Sequence, residues 1–332
     1  MSKPVVVLLG KILHAPKEWQ DLSSIATLYE DSSKTKEELI AEFSAGGKFS
    51  EAVALFHTHS SGPGFTLSAD IIDSFPATLK FICHHGAGYD MIDTDECAKR
   101  GIIVSHTPGA VDHGTADTNM FLILGALRNF NQGLNGLRRG EFASTTPLAH
   151  DPEEKILGII GMGGIGRALK KRAEAFGMTV IYHNRKQLSD ELADGAKYVT
   201  FDELISTADV ISLNLPLNAG TKHIINKDTF AKMKDGVVIT NTARGAVIDE
   251  AALVDALASG KVYSAGLDVF EEEPKIHPGL LENEKVMLLP HLGTHTLESR
   301  RGMELLVLDN LKSALISGKV LNITPETAHL QK

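Results

Sequence analysis

Leu157-Gly158-Ile159-Ile160-Gly161-Met162-Gly163-Gly164-Ile165-Gly166 is the stretch on which the reading of the fold turns. It carries G-x-G-x-x-G at Gly161, Gly163 and Gly166, directly after an apolar strand. A helical segment from Ile165 to Phe176 follows, and another apolar strand begins at Thr179. The glycines have separate tasks. Gly161 permits the tight turn out of the strand, Gly163 lets backbone approach a pyrophosphate, and Gly166 allows close helix–strand packing. The helix that begins at Ile165 would point its N-terminal N–H groups at the same phosphates, and Gly164 and Ile165 are expected at the cofactor with the three glycines. Alone the motif is weak. Within strand–loop–helix–strand it favours a dinucleotide site over a ligand-free βα turn.

Outward from this loop, short apolar strands alternate with helical stretches, the signature of an α/β fold with parallel sheets. Strands are expected at Ile156–Ile160, Thr179–Tyr182, Val210–Leu213, Val237–Thr240, Ser264–Asp268 and Val286–Leu289. Six strands in that order match a doubly wound dinucleotide-binding sheet. Upstream, strands are expected at Val5–Leu9, Ala52–Phe56, Phe81–Cys83 and Ile102–Val104, and helices at Lys36–Ala45 and Thr94–Lys99. A long amphipathic helix is expected from about Thr115 to Phe130, with Asn131 to His150 as a helix end plus loop. The segment Glu298 to Ile316 reads as one long helix that could cross back to the first domain.

The chain has 332 residues, 43% hydrophobic and 23% charged, enough for two domains with cores of their own. Its formal net charge is −9 and no Lys/Arg run is long, which argues against nucleic acid as partner. No apolar run approaches the roughly 20 residues of a membrane span, and no signal peptide is read. Two cysteines, Cys83 and Cys97, make neither a disulfide framework nor a zinc pattern. A reducing cytoplasm is the expected location. His291 and His295 have H-x-x-x-H spacing, but Pro290 and Gly293 place them on a loop rather than the helix that metal binding at this spacing needs. No metal is expected.

Sites that prefer NAD place an acidic residue about 20 positions beyond the glycine loop, for the ribose 2′-hydroxyl. Here the segment reads Tyr182-His183-Asn184-Arg185-Lys186, with two cations and no acid. A guanidinium can bind a 2′-phosphate bidentately, and a carboxylate would repel it. NADPH is therefore the expected cofactor, with NADH possible and Asn184 and Arg185 at the contact.

Polar residues recur after the later strands. Arg244 lies in Asn241-Thr242-Ala243-Arg244-Gly245, His291 in Pro290-His291-Leu292-Gly293, and three carboxylates in Glu271-Glu272-Glu273-Pro274. Ligands of open α/β sheets bind outside the carboxyl ends of the strands, where these residues can converge. An arginine can hold the carboxylate of a 2-oxo acid and polarise its ketone. Hydride delivery to the ketone builds an alkoxide, for which His291 is the natural proton donor near neutral pH. A carboxylate beside the imidazole favours its charged form and fixes the ring. Glu273 could be that partner, though pattern alone does not choose among the three.

Together with His85-Gly86-Ala87-Gly88-Tyr89-Asp90, these stretches span most of the chain. In that order the sequence resembles the D-isomer-specific 2-hydroxyacid dehydrogenases, and among them the fungal glyoxylate/hydroxypyruvate reductases. The resemblance implies a catalytic set carried onto Arg244, Glu273 and His291. It implies backbone contacts from Ala87 and Gly88 to the substrate carboxylate, Asp268 beside the nicotinamide carboxamide, and Pro216, Thr242, Ala243 and Gly293 in the cofactor site. It further implies two Rossmann-like doubly wound domains with a cleft between them. Residues 1–106 plus 299–332 would form the substrate-binding domain, and 107–298 the dinucleotide-binding domain. The implied assembly is a homodimer, and the implied reaction is reduction of glyoxylate, hydroxypyruvate or another small 2-oxo acid. One departure is visible: the family's Arg-x-Gly-x-Trp reads Arg138-Arg139-Gly140-Glu141-Phe142. Some relatives on this scaffold are dinucleotide-sensing corepressors, and others are dehydrogenases of different small acids. The intact Arg/Glu/His set argues for an enzyme over a corepressor, and a dehydrogenase of another small acid would need different pocket residues.

Overall fold

The computed structural model describes residues 2–58, 65–143 and 146–331. The chain divides into two compact units, Met1–Val111 with Thr296–Lys332, and Asp112–His295.

Unit one contains a five-stranded parallel sheet of order β2-β1-β3-β4-β5. The strands are β1 (Val5–Leu9), β2 (Thr27–Glu30), β3 (Ala52–His57), β4 (Phe81–His84) and β5 (Ile103–Ser105). Successive side chains of a strand point to opposite faces, so both faces need cover. Val7, Leu9, Leu55 and Ile82 pack with Leu39, Phe43, Ile71 and Ile72 on one side. Val6, Leu8, Phe56 and Cys83 pack on the other with Trp19 and with Val307, Leu308 and Leu311 of the helix Leu297–Ser317. Full burial of side chains this size stabilises by about 1.5–3 kcal/mol each. The same helix supplies a polar clamp. Glu304, buried, accepts the N–H groups of Leu13, His14 and Ala15 at 2.9, 2.8 and 2.6 Å, which fixes the turn after β1.

Unit two contains a seven-stranded parallel sheet of order β12-β11-β10-β9-β6-β7-β8. The strands are β6 (Ile156–Ile160), β7 (Thr179–His183), β8 (Lys197–Tyr198), β9 (Val210–Leu213), β10 (Val237–Asn241), β11 (Val262–Leu267) and β12 (Met287–Leu288). The order reverses between β6 and β9, the switch point at which doubly wound sheets bind ligands. Ile159 faces the helix Asp112–Leu127 through Ala116, Met120 and Ile123, while Ile160 faces the opposite core.

Among the elements that differ from the sequence reading are two edge strands and a helix. Strands β2 and β8 sit at sheet edges. Their exposed or half-buried residues lack the apolar run by which central strands are recognised. The stretch read as helix end plus loop contains a second helix, Phe130–Arg138, and the long helix before it ends at Leu127. Asn129, at φ +53°, breaks the two apart. Gly133 and Gly136 gave the segment a loop-like composition, but the Asn131 side chain pins it by donating to the carbonyls of Glu284 and Val286 at 3.1 and 3.0 Å. Residues 144–145 of that stretch lie outside the described residues.

Both cysteines are buried, and burial pushes their thiols up to about 12, so both are held protonated and unreactive. Among the described residues no helix is long and apolar enough to cross a membrane.

Candidate active site

The glycine loop leaves β6 with Gly161 at φ +95°, a conformation that L side chains rarely adopt. A Cβ there would also lie 2.5 Å from the carbonyl oxygen of Asn214, which follows β9. Loops from the two strands flanking the switch point are thus in contact. A Cβ on Gly166 would meet the Gly161 carbonyl at 2.7 Å, which explains the third glycine by packing. Gly163 is different. Nothing lies within 4 Å of where its Cβ would be, and its φ is ordinary. Internal packing does not demand glycine there, whereas a pyrophosphate lying over the backbone does. Gly163 also caps the twelve-residue helix Gly164–Ala175, with Ile165 in its first turn. The loop therefore fits a dinucleotide. Gly164 itself lies against the carboxylate of Asp112.

Beyond β7, Asn184 accepts the Met162 N–H at 2.7 Å, so its side chain sets the conformation of the glycine loop. Arg185 and Lys186 are exposed, and Arg185 makes no ion pair among the described residues. Pro216 is exposed on the loop after β9, where its carbonyl accepts the Thr221 hydroxyl at 2.6 Å.

Arg244 follows β10. Asn241 shapes this turn by accepting the Ala243 N–H at 3.0 Å and donating to the Arg244 carbonyl at 2.8 Å. Gly245 presses so closely on Phe270 that a Cβ would lie 1.8 Å from its carbonyl carbon, so the arginine turn and the carboxylate segment are held together. Asn119, fully buried on the helix Asp112–Leu127, donates to Ser212 at 2.9 Å and to Thr242 at 3.0 Å and accepts from Thr240 at 2.9 Å. It ties the ends of β9 and β10 together. Asn119 escapes sequence reading because it stands among the helix's apolar positions.

Asp268, at the end of β11, is 1% exposed. Its carboxylate accepts the N–H groups of Leu292 and Gly293 at 2.6 and 2.8 Å, and its carbonyl accepts that of His291 at 2.8 Å. Burial raises Asp268 above the usual carboxylate range against the pull of those two N–H groups and of His291. Wrapping the loop on Asp268 holds His291 at φ +56°, a local strain of the kind found at functional sites.

Glu273 and His291 meet. The imidazole Nδ1 lies 2.9 Å from Glu273 Oε2, and Glu273 Oε1 accepts the Phe270 N–H at 3.0 Å. Burial would raise Glu273, but the His291 hydrogen bond and charge, the Phe270 N–H and Arg244 together bring it below its ordinary value of 4.5. Glu271 points elsewhere, to His223 Nε2 at 2.5 Å. Geometry therefore separates carboxylates that composition cannot.

A turn of glycines fitted to a pyrophosphate at the switch point of a seven-stranded parallel sheet, with an Arg/Glu/His group after three later strands, defines a nicotinamide-dependent oxidoreductase architecture. A sequence profile of the "D-isomer specific 2-hydroxyacid dehydrogenase, NAD binding domain" matches residues 120–293. The chain is 53% identical over 327 residues to 4-methyl-2-oxopentanoate reductase A of Aspergillus oryzae, covering 97% of this chain and 98% of the relative. It is 45% identical over 334 residues to glyoxylate reductase 1 of Saccharomyces cerevisiae, covering 98% and 95%. A crystal structure of a glyoxylate reductase from Paecilomyes thermophila superposes with TM-score 0.95 at 51% identity, covering 98% of this chain and 99% of that one. The protein belongs to the D-isomer-specific 2-hydroxyacid dehydrogenase family.

Proposed function

We propose that the protein reduces small 2-oxo acids to 2-hydroxy acids with NADPH. The Glu273–His291 contact carries the reading, since a proton donor held by a carboxylate is what ketone reduction needs. A bound nicotinamide dinucleotide supplies the hydride. With Nδ1 directed at Glu273, His291 presents Nε2 to the substrate. The carbonyl oxygen, taking up charge as the hydride adds, receives its proton from Nε2, and the ring ends neutral with Nδ1–H still on Glu273. Arg244 steadies the substrate carboxylate and the developing alkoxide through fixed N–H donors. Ala87 and Gly88 are assigned as backbone donors to the carboxylate.

NADPH is preferred because Arg185 and Lys186 are exposed at the end of β7, where an NAD site would carry an acid. Initial rates on glyoxylate, hydroxypyruvate and 4-methyl-2-oxopentanoate with each cofactor test the reading. Absence of turnover on all three would overturn it. Arg185→Ala should raise the KM for NADPH about tenfold to a hundredfold, the loss of one charge-assisted pair, and leave that for NADH nearly unchanged. Equal effects on both would remove Arg185 from the 2′-phosphate.

The proposed assembly is a homodimer of this chain. Phe121, Phe130, Leu134, Leu137 and Leu148 are all exposed in one stretch of the second unit, an apolar surface of the kind that self-association covers. Leu134→Asp combined with Leu137→Asp is expected to shift the protein from dimer to monomer in light scattering behind size exclusion. A wild-type protein that already runs as a monomer would refute the assembly.

A further inference from the structure

In the first unit, His57 at the end of β3 and His84 at the end of β4 are both buried, and their Nδ1 atoms lie 3.0 Å apart. The outer nitrogens face carbonyls. His57 Nε2 is 3.2 Å from the Phe65 oxygen, and His84 Nε2 is 3.0 Å from the Gly88 oxygen. A carbonyl only accepts, so each Nε2 carries a hydrogen. The Nδ1–Nδ1 contact needs one more, since two lone pairs at that distance repel. Three hydrogens are required, and two neutral imidazoles hold two.

We propose that His57 and His84 form a shared imidazole–imidazolium pair whose single positive charge lies under the Gly86–Gly88 turn and strengthens its hold on the substrate carboxylate. The second half rests on the assignment of Ala87 and Gly88 above. The turn sits directly on the ring: a Cβ at Gly86 would come 2.5 Å from His84 Nε2. The charge is therefore one hydrogen bond from the Gly88 peptide.

Carboxylates on the surrounding elements have partners of their own. Asp70 pairs with Lys36 and Asp73 with Arg100 on one face. On the other, Glu304 accepts three backbone N–H groups, and Glu326 accepts the Tyr89 hydroxyl at 3.1 Å. The neighbouring His85 points to the opposite face, stacked on Phe56, where burial lowers it to about 4. His84 is thus the histidine of the His84-His85 doublet that carries the charge. The pair acts as a positioning group for the substrate's anionic end rather than as a reacting one.

Three measurements on the full-length protein test this. Long-range proton–nitrogen NMR of histidine-labelled protein near neutral pH should show three ring N–H hydrogens shared by His57 and His84. Two neutral tautomers would overturn the proposal outright. Oxamate, a non-reacting analogue of a 2-oxo acid, should shift the Ala87 and Gly88 amides in the presence of NADPH. Unmoved amides would overturn the assignment of those donors and with it the effect on substrate, a failure distinguishable because the nitrogen spectra would still show the charge. His57→Asn keeps an amide N–H at the Nδ1 position toward His84 but cannot carry the charge. It should raise the KM for glyoxylate about tenfold, as expected for a charge acting over several ångströms in a protein interior, with kcat little changed. An unchanged KM alongside shifted amides would overturn the proposal. A fall in kcat alone would do the same, because it would signal a general loss of structure.

Discussion

Replacement of His291 by Ala is expected to cut the rate of 2-oxo acid reduction by about 10²–10⁴-fold, the usual contribution of a positioned general acid. NADPH affinity should stay near wild type. The dinucleotide is assigned to the glycine loop, which is built by Asn184 and by packing on Asn214 rather than by the imidazole. Stopped-flow reduction with tryptophan or NADPH fluorescence separates the two quantities. Wild-type turnover in this variant would remove His291 from the reaction. Glu273→Gln supplies the pH arm. The native carboxyl lies below its ordinary 4.5, held there by His291, the Phe270 N–H and Arg244 against the effect of burial, so Glu273 is ionised at neutral pH. A depressed carboxylate contributes stability above its unfolded pKa and loses it as the pH drops through the folded one. The pairing is therefore intact across the working range and is lost only in acid. The neutral amide no longer favours a charged ring, so the alkaline limb of the reduction profile should move to lower pH. If Glu271→Gln moved that limb while Glu273→Gln did not, the wrong carboxylate would have been assigned.

Arg244→Ala is expected to lower kcat/KM by about 10²–10³-fold, comparable to the removal of a donor aimed at a developing oxyanion. The mutation takes away both the anchor for the substrate carboxylate and the polarising N–H groups, so kcat and KM should suffer together. Arg244→Lys should recover little, since a point charge does not reproduce the planar fork. A structural side effect can be recognised. Removal of Arg244 also removes one of the charges that hold Glu273 down, so the acid limb of the profile should shift to higher pH. A variant that loses activity without that shift has lost the shape of its turn instead, which Asn241 and Gly245 maintain.

Much of the second unit was legible because its signals are local. The glycine loop, its strand and its helix are contiguous, and Arg244 and His291 each follow an apolar run. What escaped depends on distance along the chain. Glu273 differs from Glu271 only by which histidine it reaches, His291 or His223, 18 and 48 residues away. Asn119 looks like one polar residue on an apolar helix until Ser212 and Thr242 come to meet it, 93 and 123 positions later. The pairing of His57 with His84 depends on the parallel register of β3 and β4. Edge strands β2 and β8 lack the two-sided burial that writes a strand into a sequence.

The clamp of Glu304 on residues 13–15 and the seat of Leu297–Ser317 on the β1–β3–β4 face have a consequence for biogenesis. During synthesis residues 1–111 leave the ribosome with one face of their sheet covered only in part, by Trp19 and its neighbours. The second unit is contiguous and can fold as soon as residue 295 has emerged. The nascent chain must therefore carry an unfinished apolar surface through the making of the whole dinucleotide-binding unit, until the helix Leu297–Ser317 completes its cover.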